Sequence, residues 1–170
     1  GVLASDWAEE SGLGLASLSD ATIERLRQSI PQVTLHNPID VGERVLAPVF
    51  AEAVQTIMDD DGVDGVLALF APKADRDPLE YAQSLVDRRD GFRKPLIACW
   101  LGDRRVLESR ALLAKSRIPT FRTPEPAVDA FGNPASFYRN QQLCWQTPPA
   151  LTDGEPPDIV NAVASHHDEV

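Results

Sequence analysis

Basic residues are scarce in this chain. Against 26 Asp and Glu stand only 16 Lys and Arg, a formal net charge of -10 at neutral pH. A nucleic-acid partner requires a clustered basic face that displaces counterions from phosphate, so that class of function is set aside. Cysteine is rarer still. Cys99 and Cys144 lie in apolar surroundings, with no C-x-x-C or histidine partner at ligand spacing. A disulfide framework and a zinc site are therefore not expected, and the cytoplasm is the expected compartment. Long apolar runs are missing too. No stretch nears the roughly 18 to 20 residues that span a bilayer, and no basic start leads into a hydrophobic segment, so neither membrane insertion nor secretion is expected. Nor is there a G-x-S-x-G nucleophile elbow, and Glu24, Glu43, Glu52 and Glu80 show only the spacing of surface helices. No catalytic residue is assigned on these grounds. What the chain does have is 43% hydrophobic residues, only 6% of all residues being aromatic, in a length of 170. That supports one ordinary core and a tail.

Short aliphatic runs alternate with helical patterns, the signature of a parallel sheet with helices on both faces. Residues 2 to 11 read as a helix stopped by Gly12-Leu-Gly14, and 15 to 18 as a short strand. Ser19 or Asp20 then caps a helix through Ile30, which Pro31 ends. A strand is expected at 33 to 35. Between 45 and 60, Val45, Val49, Phe50, Ala53, Val54 and Ile57 form one apolar stripe, with Pro48 tolerable only in the first turn. The acidic run Asp59-Asp-Asp61 opposes the helix macrodipole there and is expected in a solvated turn. Gly65 to Ala71 is apolar at nearly every position, as a central parallel strand requires. Helices from Asp77-Pro78 to about Asp90 and from Asp103 to about Lys115 follow, with strands at 95 to 100 and 119 to 122, and a last helix runs through Phe131.

The chemistry concentrates in loops. Asn37-Pro-Ile-Asp-Val-Gly42 combines turn residues with ligand-facing polar groups, the composition found where α/β sheets bind ligands at strand ends. Plain Asx-type turn bonding by Asn37 and Asp40 is the competing explanation. Pro72-Lys-Ala-Asp-Arg-Asp-Pro78 leaves a buried strand and opens a helix, the geometry that binds anions. Lys73 and Arg76 favour an anion there, whereas Asp75 and Asp77 oppose it. Trp100 either lines a groove or covers the end of the sheet. His36 reads as a turn histidine, and His166-His167 as part of a polar terminus.

Several segments share an order with one family. Gly1-Val-Leu-Ala-Ser-Asp6, Ala16-Ser-Leu-Ser19, Asn37-Pro-Ile-Asp-Val41, Asp61-Gly-Val-Asp-Gly-Val-Leu67, Lys94-Pro-Leu-Ile-Ala-Cys-Trp-Leu-Gly102, Ala111-Leu-Leu113, Ile118-Pro-Thr-Phe-Arg-Thr-Pro-Glu125 and Tyr138-Arg-Asn-Gln141 carry it. Together they resemble the flavodoxin-like CoA-ligase domain that precedes the ATP-grasp region in NDP-forming (ADP-forming) acyl-CoA synthetases. This is the succinyl-CoA synthetase-like acetate-CoA ligase group, which includes forms fused to a GNAT-type protein acetyltransferase.

The resemblance implies a flavodoxin-like, doubly wound sheet lacking its first strand, a domain over residues 1–146, and a linker or tail over 147–170. It implies a parent enzyme that makes acyl-CoA from a carboxylate, CoA and ATP through an acyl phosphate and a phosphohistidine. The phosphohistidine lies in an upstream CoA-binding region, and the ATP-grasp domain follows the linker. CoA and ATP or ADP are then cofactors of the parent, none of them held tightly by this chain, which is expected to be inactive alone. Asn37, Pro38, Asp40, Gly42, Pro72, Lys73 and Arg76 become the candidate phosphate- or CoA-binding residues. Two other expectations stay open beside this one: a non-catalytic CoA- or acyl-CoA-sensing domain of a protein lysine acetyltransferase, and a degenerate fragment. A missing strand leaves unpaired backbone groups, so self-association through that edge is expected. Asn133-Pro134 is expected to break the final helix, at about 3 kcal/mol if it continued through.

Overall fold

The computed structural model describes residues 1–31, 33, 34 and 36–132. Three parallel strands make its sheet: β1 (Val66–Phe70), β2 (Leu96–Trp100) and β3 (Thr120–Phe121), in that spatial order. Val66 lies opposite Leu96, Phe70 opposite Trp100 and Ala98 opposite Thr120. Each strand hands on to a helix that returns the chain to the amino end, as parallel pairing demands.

The helices form two layers over the sheet and one behind. α1 (Val2–Glu10) and a helix over 124–132, here α6, cover the face that carries Leu67, Leu69, Ile97 and Cys99. α3 (Ala47–Met58), α4 (Pro78–Asp87) and α5 (Leu107–Lys115) cover the face of Val66, Ala68, Phe70, Leu96, Ala98 and Trp100. α2 (Asp20–Ser29) packs outside α3. The stripe expected on α3 is therefore split. Phe50, Ala51, Val54 and Met58 face the sheet, whereas Val49, Ala53 and Ile57 meet Leu26 and Ile30 of α2. A helix between two layers needs apolar residues on both sides.

Local chemistry sets the helix ends. Ser19 Oγ accepts the Thr22 amide at the start of α2, and Asp77 Oδ1 accepts the Leu79 amide at the start of α4, where Pro78 occupies the first turn. α4 stops at Asp87 and a separate 3-10 turn, Arg89–Gly91, fills the stretch expected to be helical through Asp90. Likewise a 3-10 turn, Arg104–Val106, precedes α5. Glycine is required at Gly65, because a Cβ there would sit 2.6 Å from the Phe131 ring of α6 and 3.1 Å from the Pro95 carbonyl.

Two expected strands are not formed among the described residues. Residues 15–18 run as irregular chain. Leu15 is exposed, Leu18 turns toward the α2–α3 layer, and the Ala16 carbonyl accepts from the Asn37 side chain rather than from a ladder. At 33–35, Thr34 makes only a two-residue antiparallel bridge with Asp40, its amide donating to the Asp40 carbonyl at 2.9 Å. Apolar composition alone does not make a strand when no neighbour supplies the second half of each hydrogen bond. The Asn133-Pro134 break, Cys144, His166, His167 and the 147–170 tail lie outside the described residues.

Candidate functional site

Phe70 and Trp100 end their strands side by side, rings stacked at 5.3 Å between centroids, and Tyr81 lies 4.5 Å from Phe70. This aromatic floor supports the loops at the carboxyl edge of the sheet. Trp100 is fully buried, its Nε1 donating to the Pro78 carbonyl at 3.3 Å. It covers the sheet end and does not line a groove. Tyr81 donates to the Val45 carbonyl at 2.6 Å, and burial raises its pKa, so it stays a neutral donor. Cys99, fully buried in β2, has its thiol pushed up to about 11 by desolvation, as an inert thiol should.

The 37–44 loop is fastened by its own polar side chains. Asn37, exposed, donates through Nδ2 to the Ala16 carbonyl at 3.0 Å. Pro38 follows a cis peptide and lies beside Gly1 at the start of α1, where an added Cβ would sit 3.1 Å from its ring. Asp40 Oδ1 accepts the Gly42 amide at 2.8 Å, an Asx turn that leaves Gly42 at a φ of +80°. Only glycine adopts that conformation without strain.

The second expected segment meets the first. Lys73 forms an ion pair with Glu43, and Arg76 Nη2 donates to the Arg44 carbonyl at 3.4 Å. Pro72 packs beside Gly102, where an added Cβ would lie 3.6 Å from its ring. Residues separated by about thirty positions in sequence therefore line one edge: the loop after β1 emerges at the carboxyl end of the sheet, and α3, which leads back to the amino end of β1, begins there. Beside it, an open groove of about 440 Å³ runs between the end of α2 and the 41–46 stretch, lined by Ser29, Ile30, Pro31, Val41, Gly42 and Val45 among others.

Three functional-looking side chains escaped sequence reading. Arg105 Nη2 donates to the Lys73 and Arg76 carbonyls at 2.9 and 3.1 Å. Arg110, only 9% exposed, donates from Nε to the Trp100 carbonyl at 3.1 Å and from Nη2 to the Gly102 carbonyl at 2.6 Å. Asp60 is the third, and it corrects the expectation of a solvated acidic turn. It is buried, and its carboxylate accepts the Ser19 amide at 2.8 Å, the Ser19 hydroxyl at 2.8 Å and the Gly62 amide at 2.9 Å. The Thr22 hydroxyl first, then the Ser19 and Gly62 amides, hold its pKa well below the usual carboxylate range against the opposing effect of burial. The expectation weighed Asp60 against the C-terminus of α3, but its side chain serves the N-terminus of α2, where negative charge is favourable. The only signal in sequence was a Ser at the α2 cap, with nothing to connect it to residue 60.

No family model matches the chain. Among curated proteins, an ADP-forming acetate-CoA ligase I of Archaeoglobus fulgidus is 34% identical over 131 residues, 76% of this chain and 18% of that protein. The alpha subunit of an ADP-forming acetate-CoA ligase II from Pyrococcus furiosus is 28% identical, over 76% of this chain and 30% of the subunit. Among solved structures, a Pyrococcus horikoshii OT3 protein superposes with a TM-score of 0.73 at 28% identity, covering 78% of this chain and 32% of its own. A dinucleotide-forming acetyl-coenzyme A synthetase 1 from Ca. Korarchaeum cryptofilum gives 0.77 over 84% of this chain and 32% of its own, at 24% identity, and so shows the common fold. The chain spans less than a third of the length of these relatives. It has a partial flavodoxin-like α/β fold and is homologous to one segment of the ADP-forming acetate-CoA ligases.

Proposed function

We propose that the chain serves as the phosphoryl-handling flavodoxin-like domain, residues 1–146 with a linker over 147–170, of an acyl-CoA synthetase that forms acyl-CoA from a carboxylate, CoA and ATP. The intermediates are an acyl phosphate and a phosphohistidine supplied by an upstream domain, and an ATP-grasp domain supplies the nucleotide site. The observation that carries this reading is the meeting of two loops, each singled out by its chemistry, at the carboxyl edge of a parallel sheet. In this reading Asn37 and Asp40 shape the first loop, Gly42 lets it turn, Pro38 seats it against α1, and Lys73 and Arg76 bring positive charge from the second. The first-turn amides of α1, beside Pro38, add an electropositive end suited to an anionic group.

Half of such a site belongs to other domains, so few donors remain to offset the desolvation of a phosphate on this chain alone. The isolated chain is expected to show no ATP-dependent acyl-CoA formation and at most millimolar binding of phosphate or CoA, about -4 kcal/mol. Titration calorimetry with CoA and a hydroxamate assay for acyl phosphate test both parts, first on the chain and then on the full-length parent. Turnover by the parent that survives both Asn37→Ala and Arg76→Ala sinks the proposed role of this edge. Micromolar CoA binding by a parent without turnover indicates a CoA-sensing domain instead.

A further inference from the structure

Three arginines tie successive loops of the carboxyl edge together, and each does so through backbone carbonyls. Arg110 of α5 holds the turn after β2 through the carbonyls of Trp100 and Gly102. Arg105, in the 3-10 turn that follows, reaches the loop after β1 through the carbonyls of Lys73 and Arg76. Arg76, in that loop, reaches the segment before α3 through the carbonyl of Arg44. Carboxylates scarcely take part. Among the described residues Arg105 and Arg110 have no ion pair within 4.0 Å, and Arg76 meets only Asp75, at the limit of 4.0 Å. Their charges are answered mainly by carbonyl dipoles.

Resting on the proposed anion-handling role of this edge, we infer that Arg105 is a positioning residue for it, setting the Lys73–Arg76 turn in the conformation that receives an anion. The turn has little else to define it. Its one internal hydrogen bond, from the Arg76 amide to the Lys73 carbonyl, is long at 3.3 Å. Arg105 caps that same carbonyl and adds the Arg76 carbonyl, clamping both ends of the turn with one planar group. Arg110 fixes the turn from which Arg105 projects, and Arg76 passes the constraint on to the loop of Asp40 and Gly42.

The test compares Arg105→Ala with Arg104→Ala, which removes the same charge one residue away from a side chain that makes no hydrogen bond or ion pair among the described residues. Amide hydrogen exchange at residues 73–77 and chemical-shift titration with inorganic phosphate are measured on the chain, with melting temperature confirming that each variant is folded. Arg105→Ala is expected to speed exchange of the Arg76 amide roughly tenfold, as loss of a charge-assisted hydrogen bond should. It is expected to weaken phosphate binding about fivefold, while Arg104→Ala changes exchange little and binding less than about twofold, the effect of screened charge alone. Arg105→Lys, which keeps the charge without the planar fork, should fall between them. Equal effects of the Arg104 and Arg105 substitutions, or unchanged exchange in Arg105→Ala, overturn the inference. A wild-type chain and parent that give no response to phosphate would sink the anion-handling role itself, while the exchange comparison still decides whether Arg105 orders the turn.

Discussion

The two ends of the sheet handle charge in opposite ways. At the amino end, the Asp60 carboxylate is surrounded by donors from Ser19 and Gly62, while Lys94 Nζ donates to its backbone carbonyl. At the carboxyl end, Arg110 and Arg105 are bonded to neutral carbonyls, and neither forms an ion pair within 4.0 Å among the described residues. A charge fully answered by the chain's own groups contributes stability and needs nothing further. One answered only by dipoles leaves a field that an incoming anion can use. The difference separates the end that holds the fold together from the end where ligands of α/β sheets collect.

Asp60 carries the largest expected effect. Asp60→Ala leaves the Ser19 and Gly62 amides and the Ser19 hydroxyl without their charged acceptor and removes a negative charge from the start of α2, an expected loss of about 3 kcal/mol in urea unfolding. Asp60→Asn keeps the shape but not the charge and should lose less. The pH dependence has a definite sign. Because the folded-state pKa lies below the unfolded value near 3.9, the contribution of Asp60 is full above that value and disappears as pH falls below about 4 toward the folded pKa. Unfolding measured between pH 6 and pH 2.5 should show a shallower acid limb in Asp60→Asn than in wild type. Parallel curves would mean that Asp60 is not the buried anion of the amino end.

Arg110 is the matching test at the other end, with a smaller expected effect. Arg110→Met retains most of the buried volume but leaves the Trp100 and Gly102 carbonyls without donors, an expected loss of about 2 kcal/mol. Removing the charge also removes its own desolvation penalty, which limits the loss. Arg110→Met should flatten no acid limb, since Arg110 pairs with no carboxylate within 4.0 Å among the described residues. If it reproduces the pH response of Asp60→Asn, the two ends are electrostatically coupled and the contrast fails.

What sequence could show follows the same division. The strands at 66–70, 96–100 and 120–121 and the helices around them were legible because burial imposes a periodic pattern on every residue of an element. Loop composition was legible too, since Asn37, Pro38, Asp40, Gly42 and Pro72 announce turns by type. The arginine and aspartate networks were not. Arg105 reaches Lys73 across thirty-two positions and Asp60 reaches Ser19 across forty-one, and neither spacing follows from any local rule. Residues 15–18 illustrate the converse failure, because a strand depends on a neighbour that composition cannot supply.

The smallest effect refines the amino end, where one point of strain remains. α1 and α5 stop in the same way: Leu13 N donates to Ala8 O and Gly12 N to Glu9 O, and correspondingly Ile118 N to Leu113 O and Arg117 N to Ala114 O. Both are Schellman closures, which place the residue after the cap in the left-handed region. α1 has Gly12 there, at a φ of +71°, but α5 has Arg117, at +60°. An L side chain in that region costs about 1 kcal/mol, and this exposed arginine has no hydrogen bond or ion pair among the described residues to offset it. Arg117→Gly should therefore stabilise the chain by about 0.5 to 1 kcal/mol, the gain being reduced by the greater freedom of glycine in the unfolded state. Gly12→Ala should destabilise it by a similar amount. Opposite shifts of the two urea midpoints with unchanged slopes are the expected result. A destabilised Arg117→Gly would show that the arginine makes a contact at the amino end that outweighs its backbone strain.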